Sequence, residues 1–219
     1  MSESKVRCTK CQFVKGIIFV VFLVFAVSSG YHYFKTPKPV SDVPTQIATV
    51  LPNPRLVHPF QLKDDSNQSF SDANLKDHWS ILFFGFSSCP MMCPATMAEL
   101  SKVYKLLQTQ GAKTLPQVIM VSIDPERDTV AAMHRYVKEF DPHFIGLTGE
   151  NKEIKRLTQE LGIVYLQAEK SGDNKTGNID HSGTLILVNP KGEALAFFSF
   201  PHDAKKIADD YRSITEFAA

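Results

Sequence analysis

Cys89 and Cys93 stand four residues apart in SSCPMMCPATM, residues 87–97, and each is followed by a proline. Thiols at this spacing admit three chemistries. They can form an inert structural disulfide, work as a redox dithiol, or ligate a soft metal, above all copper(I), with another donor completing the site. The first is disfavoured, because a strand-to-helix turn is a poor place for a staple of such short reach. Two thiolates alone do not separate the other two; a third ligand would. His181 is the candidate, in NIDHSGTLILV (178–188), where a polar loop over 171–178 enters an apolar strand. His58, His78, His134, His143 and His202 are expected to be solvated side chains without a role. Met91 and Met92 read as apolar cover for the loop. Asp124 closes an apolar run and fits a turn with Pro125, with Arg127 as a surface partner.

The elements around these residues are regular. SILFFGF (80–86) is a continuous apolar run of strand length, as expected of a strand buried on both faces. Met97, Leu100, Tyr104 and Leu107 then recur at helical spacing, and Gly111 is a natural stop. The cysteines therefore lie where a buried strand hands over to a helix. A helix start offers unpaired N–H groups and partial positive charge, which favour thiolate at whichever cysteine lies nearest. Pro94 fits the first turn, where its missing N–H is not needed. QVIMVSI (117–123) is a second buried strand. Asp128 can cap a helix running to Phe140 with Val130, Met133 and Val137 inward. NKEIKRLTQELG forms another, with Ile154, Leu157 and Leu161 on one face. Residues 56–71 suggest a hairpin turning at Asp64-Asp65-Ser66. TLILVNPKGEALAFFSF reads strand, turn, strand, with Asn189–Gly192 suited to a type I turn, and residues 203–217 close with a helix. The order predicts an α/β, thioredoxin-like domain: a mixed central sheet with helices on both faces.

The amino-terminal part differs. Residues 16–34, GIIFVVFLVFAVSSGYHYF, carry no charge and are about long enough to cross a bilayer. Lys5, Arg7, Lys10 and Lys15 precede them, so the positive-inside rule leaves residues 1–15 in the cytosol and sends the rest across. Cleavage after a signal core near Ala26-Val27-Ser28 is the competing reading. Residues 35–55 hold five prolines and no amphipathic period, which predicts an extended tether, with the domain over 56–219. Cys8 and Cys11 stay on the reducing side; Cys89 and Cys93 face an oxidising space in a bacterial cell, where they oxidise readily to a disulfide. A net charge of +1 argues against a nucleic-acid surface.

FFGFSSCPMMCPATM, VSIDPERDT and DHSGTLILVNPKG resemble, in order and separation, successive signatures of the Sco/SenC family, and the similarity runs from about residue 56 to the end. These are membrane-tethered, thioredoxin-like copper proteins of respiratory-oxidase assembly. The resemblance implies that Cys89, Cys93 and His181 bind a copper ion, with Asp124 in the DPERD stretch beside them. It implies a copper metallochaperone, not primarily an enzyme, delivering copper to the dinuclear centre of cytochrome c oxidase subunit II. The alternative is a membrane-anchored thiol-disulfide oxidoreductase that keeps the target's cysteines reduced. A copper donor and a thiol reductant are the further partners implied. Ser88 stands where threonine is common and Asn67 where glycine is frequent; neither is a ligand position. The expected location is the bacterial inner membrane, single-pass, with the domain in the periplasm. The full-length protein should then resist carbonate extraction from membranes, and protease on the outer face should digest the domain and spare the tail. A mature amino terminus at Val27 to Gly30, found by sequencing, would convert the anchor into a cleaved signal.

Overall fold

The computed structural model describes residues 18–25, 43–167 and 179–218. The chain divides into one unit ending at Pro39 and another beginning at Val40. In the first, residues 18–25 form a helix, α1, whose side chains are all apolar and exposed. The remainder of the anchor expected over 16–34 lies outside the described residues. No helix among the described residues is long and apolar enough to cross a membrane.

The second unit is built on an eight-stranded sheet in the order β1 (Ala48–Leu56), β10 (Glu193–Phe198), β9 (Leu185–Val188), β4 (Ser80–Gly85), β5 (Gln117–Ser122), β6 (Ile145–Thr148), β2 (Gln61–Asp64) and β3 (Ser69–Ser71). At its centre β4 (Ser80–Gly85) is buried along its whole length and runs parallel to β5 (Gln117–Ser122). Helix α2 (Met92–Thr109) joins them, and α3 (Val130–Phe140) joins β5 to β6 (Ile145–Thr148), also parallel. Successive right-handed crossovers in one direction put α2 and α3 on the same face. They touch there: Ser101 Oγ donates to the Phe140 carbonyl at 3.0 Å. Met97, Leu100 and Leu107 are fully buried and Tyr104 nearly so, as the helical stripe demanded. The stop at Gly111 has φ of +65°, a conformation open to glycine.

β9 (Leu185–Val188) and β10 (Glu193–Phe198) are joined through Asn189–Gly192, with Gly192 N–H donating to the Asn189 carbonyl at 2.9 Å. β9 pairs antiparallel with β4, and α5 (Ala204–Phe217), capped by Asp203, packs against α2. The hairpin β2 (Gln61–Asp64) and β3 (Ser69–Ser71) adds to the far edge. β6 was not among the expected elements. It is short, and Gly146 within it gives no strand signal; the glycine lets α3 close down, since a Cβ there would stand 3.0 Å from Met133 Cβ. Helix α4 (Asn151–Glu160) follows the expected pattern, with Ile154, Leu157 and Leu161 buried.

Two expectations are corrected. The tether was expected to reach residue 55, but Ala48–Leu56 form β1, antiparallel to β10 at the sheet edge. Two of the five prolines that suggested a linker, Pro52 and Pro54, sit in a break of register between Val50 and Arg55, where no ladder N–H is required. Just ahead of β1, the Asp210 carboxylate of α5 accepts the N–H groups of Gln46, Ile47 and Ala48 at 2.7, 2.8 and 2.8 Å. Also, α3 is capped by Thr129, whose hydroxyl accepts the Ala132 N–H, and not by Asp128, which turns inward. Val130 is only half-buried in consequence, while Met133 and Val137 are fully enclosed.

Because one buried carboxylate holds three backbone donors, Asp210→Ala should cost about 2–4 kcal/mol of domain stability by chemical denaturation. A loss below about 0.5 kcal/mol would show that β1 is held by sheet pairing alone.

Candidate metal centre

The cysteines occupy the turn between β4 and α2. Cys89 N–H bonds the Phe86 carbonyl at 3.2 Å, closing the turn that leaves the strand. Helix α2 begins at Met92, and its cap residue Met91 supplies no side-chain acceptor. The Cys89 sulfur takes that place: the Cys93 N–H, an orphan donor of the first turn, points at Cys89 Sγ at 3.4 Å. Pro94 falls one residue further on, where it forfeits no bond. Both cysteines are thiols, and they differ in environment. Cys89 is half-buried at the surface end of the loop; Cys93 is wholly enclosed.

That enclosure changes the expected electrostatics. Burial pushes the Cys93 thiol well above its ordinary pKa, although a backbone hydrogen bond from Phe86 pulls the other way. At Cys93 desolvation therefore outweighs the helix start. Any cation bound by this sulfur must displace a firmly held proton.

The enclosure has a local cause in Gly85, the last residue of β4. A Cβ there would stand 2.9 Å from Cys93 Sγ and 2.8 Å from the Phe83 ring. The single glycine in an otherwise bulky strand is thus the space the sulfur occupies.

The loop is held from below by Asp128. This fully buried carboxylate accepts the Ser87 N–H at 3.1 Å, the Ser87 hydroxyl, and the Ser122 hydroxyl at 2.6 Å. Asp128 ties the start of the cysteine loop to the end of β5. Asp124, the residue expected beside the site, is also buried, but its carboxylate accepts from Arg127 Nε. Arg127 in turn lies over the Phe86 ring, 5.8 Å from its centroid. The aspartate that bonds directly to the cysteine loop is Asp128.

His181 ends β8 (Ile179–His181), which pairs with β7 (Tyr165–Gln167) so that His181 stands opposite Tyr165. Its side chain, and the loop 168–178, lie outside the described residues. Among the described residues, no group of three His, Cys, Asp or Glu could hold a metal. The backbone just past His181 is informative. Gly183, with φ of +62°, packs so closely on the cysteine turn that a Cβ would meet Met92 Sδ at 2.8 Å and Phe200 Cβ at 3.4 Å. The segment two residues beyond His181 is therefore seated beside Cys93's neighbour. His202 helps seat it, its Nε2 donating to the Gly183 carbonyl at 2.9 Å. His202 was expected to be solvated; it is instead half-buried, and burial lowers its pKa. His58, His134 and His143 face carboxylates of Glu160, Asp65 and Asp141 near the surface.

A thioredoxin-like α/β domain with paired thiols at the start of its first crossover helix defines the class of protein. The chain belongs to the SCO1/SenC family, whose model matches residues 48–216. The mitochondrial SCO1 homolog 1 of Arabidopsis thaliana is 33% identical over 197 residues, covering 86% of this chain and 58% of that protein. The chain thus spans little more than half the length of that relative. Among solved structures, yeast Sco1 with copper bound superposes with a TM-score of 0.69 at 28% identity, over 74% of this chain and 90% of that one. Arabidopsis thaliana ScoI with copper bound gives 0.68 at 31% identity, over 74% and 98%.

Because Gly85 is the room for the Cys93 sulfur, Gly85→Ala should cost about 1–3 kcal/mol by overpacking. It should also weaken copper(I) binding at least about tenfold in a chelator competition, the range of a disturbed metal site. Unchanged stability and affinity would mean that the sulfur moves aside without penalty.

Proposed function

We propose that this protein is a copper carrier, with Cys89, Cys93 and His181 as the ligands of its cargo and cytochrome c oxidase as the assembly it serves. The donor types support the reading. Thiolate sulfur selects copper(I) over harder cations, and an imidazole would let the same site accept copper(II). The observation that supports it is the close approach of Gly183, two residues past His181, to Met92, the neighbour of Cys93. The finer expectation is delivery to the dinuclear centre of subunit II. There the target's cysteines displace the carrier's one by one, so the metal is never released to water. Cys89, the half-exposed thiol, is the first reached by an incoming ligand; Cys93 is the last to let go. Anchoring through residues 16–34, with the domain in the periplasm, would keep the site at the membrane face where such a target is assembled.

A second reading has one observation in its favour. An accessible thiol paired with a buried one is also the arrangement of a dithiol reductase. The Cys89 thiolate would attack a target disulfide, forming a mixed disulfide and expelling one target thiolate. Cys93 would then attack Cys89, releasing the second thiolate and leaving a Cys89–Cys93 disulfide. Such a reductase needs no imidazole, so His181 separates the two.

His181→Ala should lower copper affinity at least about tenfold while leaving the fold and the ability to form the Cys89–Cys93 disulfide intact. In cells, oxidase activity should fall as it does for Cys89→Ser and be partly restored by added copper. If His181→Ala binds copper normally and supports full oxidase activity while Cys93→Ser does neither, the imidazole is not a ligand and the reductase reading replaces the carrier.

A further inference from the structure

His202 lies between β10 and α5, and the chain on either side of it is fixed. Phe198, at the end of β10, pairs with Ala48 on one side and with Leu185 on the other. The Asp203 side chain caps α5 by accepting the Lys206 N–H at 3.0 Å, and the Ala204 N–H donates to Glu99 Oε2 of α2 at 3.1 Å. The imidazole is therefore carried on a rigid mount. The Phe200 ring stands edge-on to it, with 5.6 Å between ring centres.

The two ring nitrogens differ. Nε2 faces the Gly183 carbonyl at 2.9 Å. A carbonyl oxygen only accepts, so this nitrogen carries the proton. Nδ1 is shut off from water and has no hydrogen-bond partner among the described residues. Neither nitrogen is offered to a metal, so His202 can act on the site only through what it holds. A buried imidazole with one nitrogen unmet is destabilising, and an apolar ring would fill the same place without that cost. What the histidine has that such a ring lacks is the bond to Gly183.

That bond acts a short distance from His181. Two residues of chain span at most about 7 Å, so fixing Gly183 confines the His181 backbone to that radius. The pairing of His181 with Tyr165 restrains the same backbone from its other side. We propose that His202 is a positioning residue of the metal site. Through the Gly183 carbonyl it holds the backbone that carries His181, so that the His181 imidazole is presented to the cysteine turn before a metal arrives. The inference rests on the copper reading above. A donor held in place beforehand spares the ordering cost at the moment of binding. Copper(I) can be kept by two thiolates, whereas copper(II) draws more on a nitrogen donor, so losing the hold on His181 tells most on copper(II).

His202→Phe keeps a ring of similar size and deletes the donor. The metal-free variant should melt within about 4 °C of the parent, because one neutral hydrogen bond and one unmet acceptor are lost together. Its copper(II) affinity in a chelator competition should fall about tenfold, the range of a disturbed metal site, and its copper(I) affinity by less. The nitrogen coupling in the copper(II) EPR spectrum should weaken, as it does in His181→Ala. His202→Gln, which keeps an N–H donor at about the reach of Nε2, should restore most of the affinity. In the His181→Ala background, His202→Phe should leave copper(II) affinity unchanged, because the group it positions is gone. An equal loss in both backgrounds would overturn the proposal in favour of a general packing role. So would a His202→Gln no better than His202→Phe, or parental affinity with an unaltered spectrum in His202→Phe while His181→Ala binds weakly. If His181→Ala itself binds as the parent does, the imidazole is not a ligand, and the copper reading of His181 falls together with this inference.

Discussion

The cysteine loop depends on one buried carboxylate. Asp128 sits at full depth, where an ionised group is stable only if its oxygens are supplied with donors. Three donors supply them, two from Ser87 and one from Ser122. Ser87 opens the loop that carries Cys89, and Ser122 ends β5, so satisfying the carboxylate fixes the loop against the sheet. Ser122 Oγ also accepts the Asp124 N–H at 3.0 Å, and the Asp124 carbonyl accepts the N–H of Asp128 at 2.9 Å. The constraint is reciprocal. The loop cannot relax without stranding a charge, and the charge cannot be buried without the loop. A site that must hold two sulfurs at a set separation gains its rigidity from this exchange.

On that frame the two thiols are made unequal. Cys89 stands at the loop's outer end and serves as the acceptor that α2 lacks at its cap. Cys93 is the second residue of the helix and fills the hollow left by Gly85. Burial makes Cys93 hold its proton more tightly than an exposed thiol would, because its thiolate is desolvated. Under the carrier reading, loading a cation at this sulfur would release its proton, and the half-buried outer thiol would be the first that an exchanging ligand meets.

Much of this was legible in the residues. The apolar runs of β4 and β5, the stripe of α2 and the Asn189–Gly192 turn each carry their own signal, because the periodicity that forms them is local. The cysteine pair was legible for the same reason. What could not be read depends on partners distant in sequence. β1 looks like a linker because its prolines are visible, while its pairing with β10 and its clamp by Asp210, more than 160 residues away, are not. Asp128 has the residue type and position of a helix cap, and only the approach of Ser87 shows where its carboxylate goes. His202 reads as a surface histidine until Gly183 is brought against it. Gly85 did leave a trace, a lone glycine in a run of large side chains, but its meaning needs the sulfur that fills the gap.

These distant pairings join into one line of contacts that ends at the site. Asp210 holds the entry to β1, and Ala48 pairs with Phe198 at the end of β10. Two residues further on, Phe200 packs on Gly183, and His202 donates to the Gly183 carbonyl. Gly183 rests on Met92, which opens the helix of Cys93. The edge strand therefore does more than close the sheet. It steadies the chain that presses the segment after His181 onto the cysteine turn. A domain begun at residue 56 would keep both cysteines and His181 but leave the edge of β10 unpaired. The support for the segment after His181 would weaken while the sequence motifs stayed whole. The motifs name the cysteines and the histidine; the contacts that bring the segment after His181 to the cysteine turn begin about forty residues before Cys89, at the edge of the sheet.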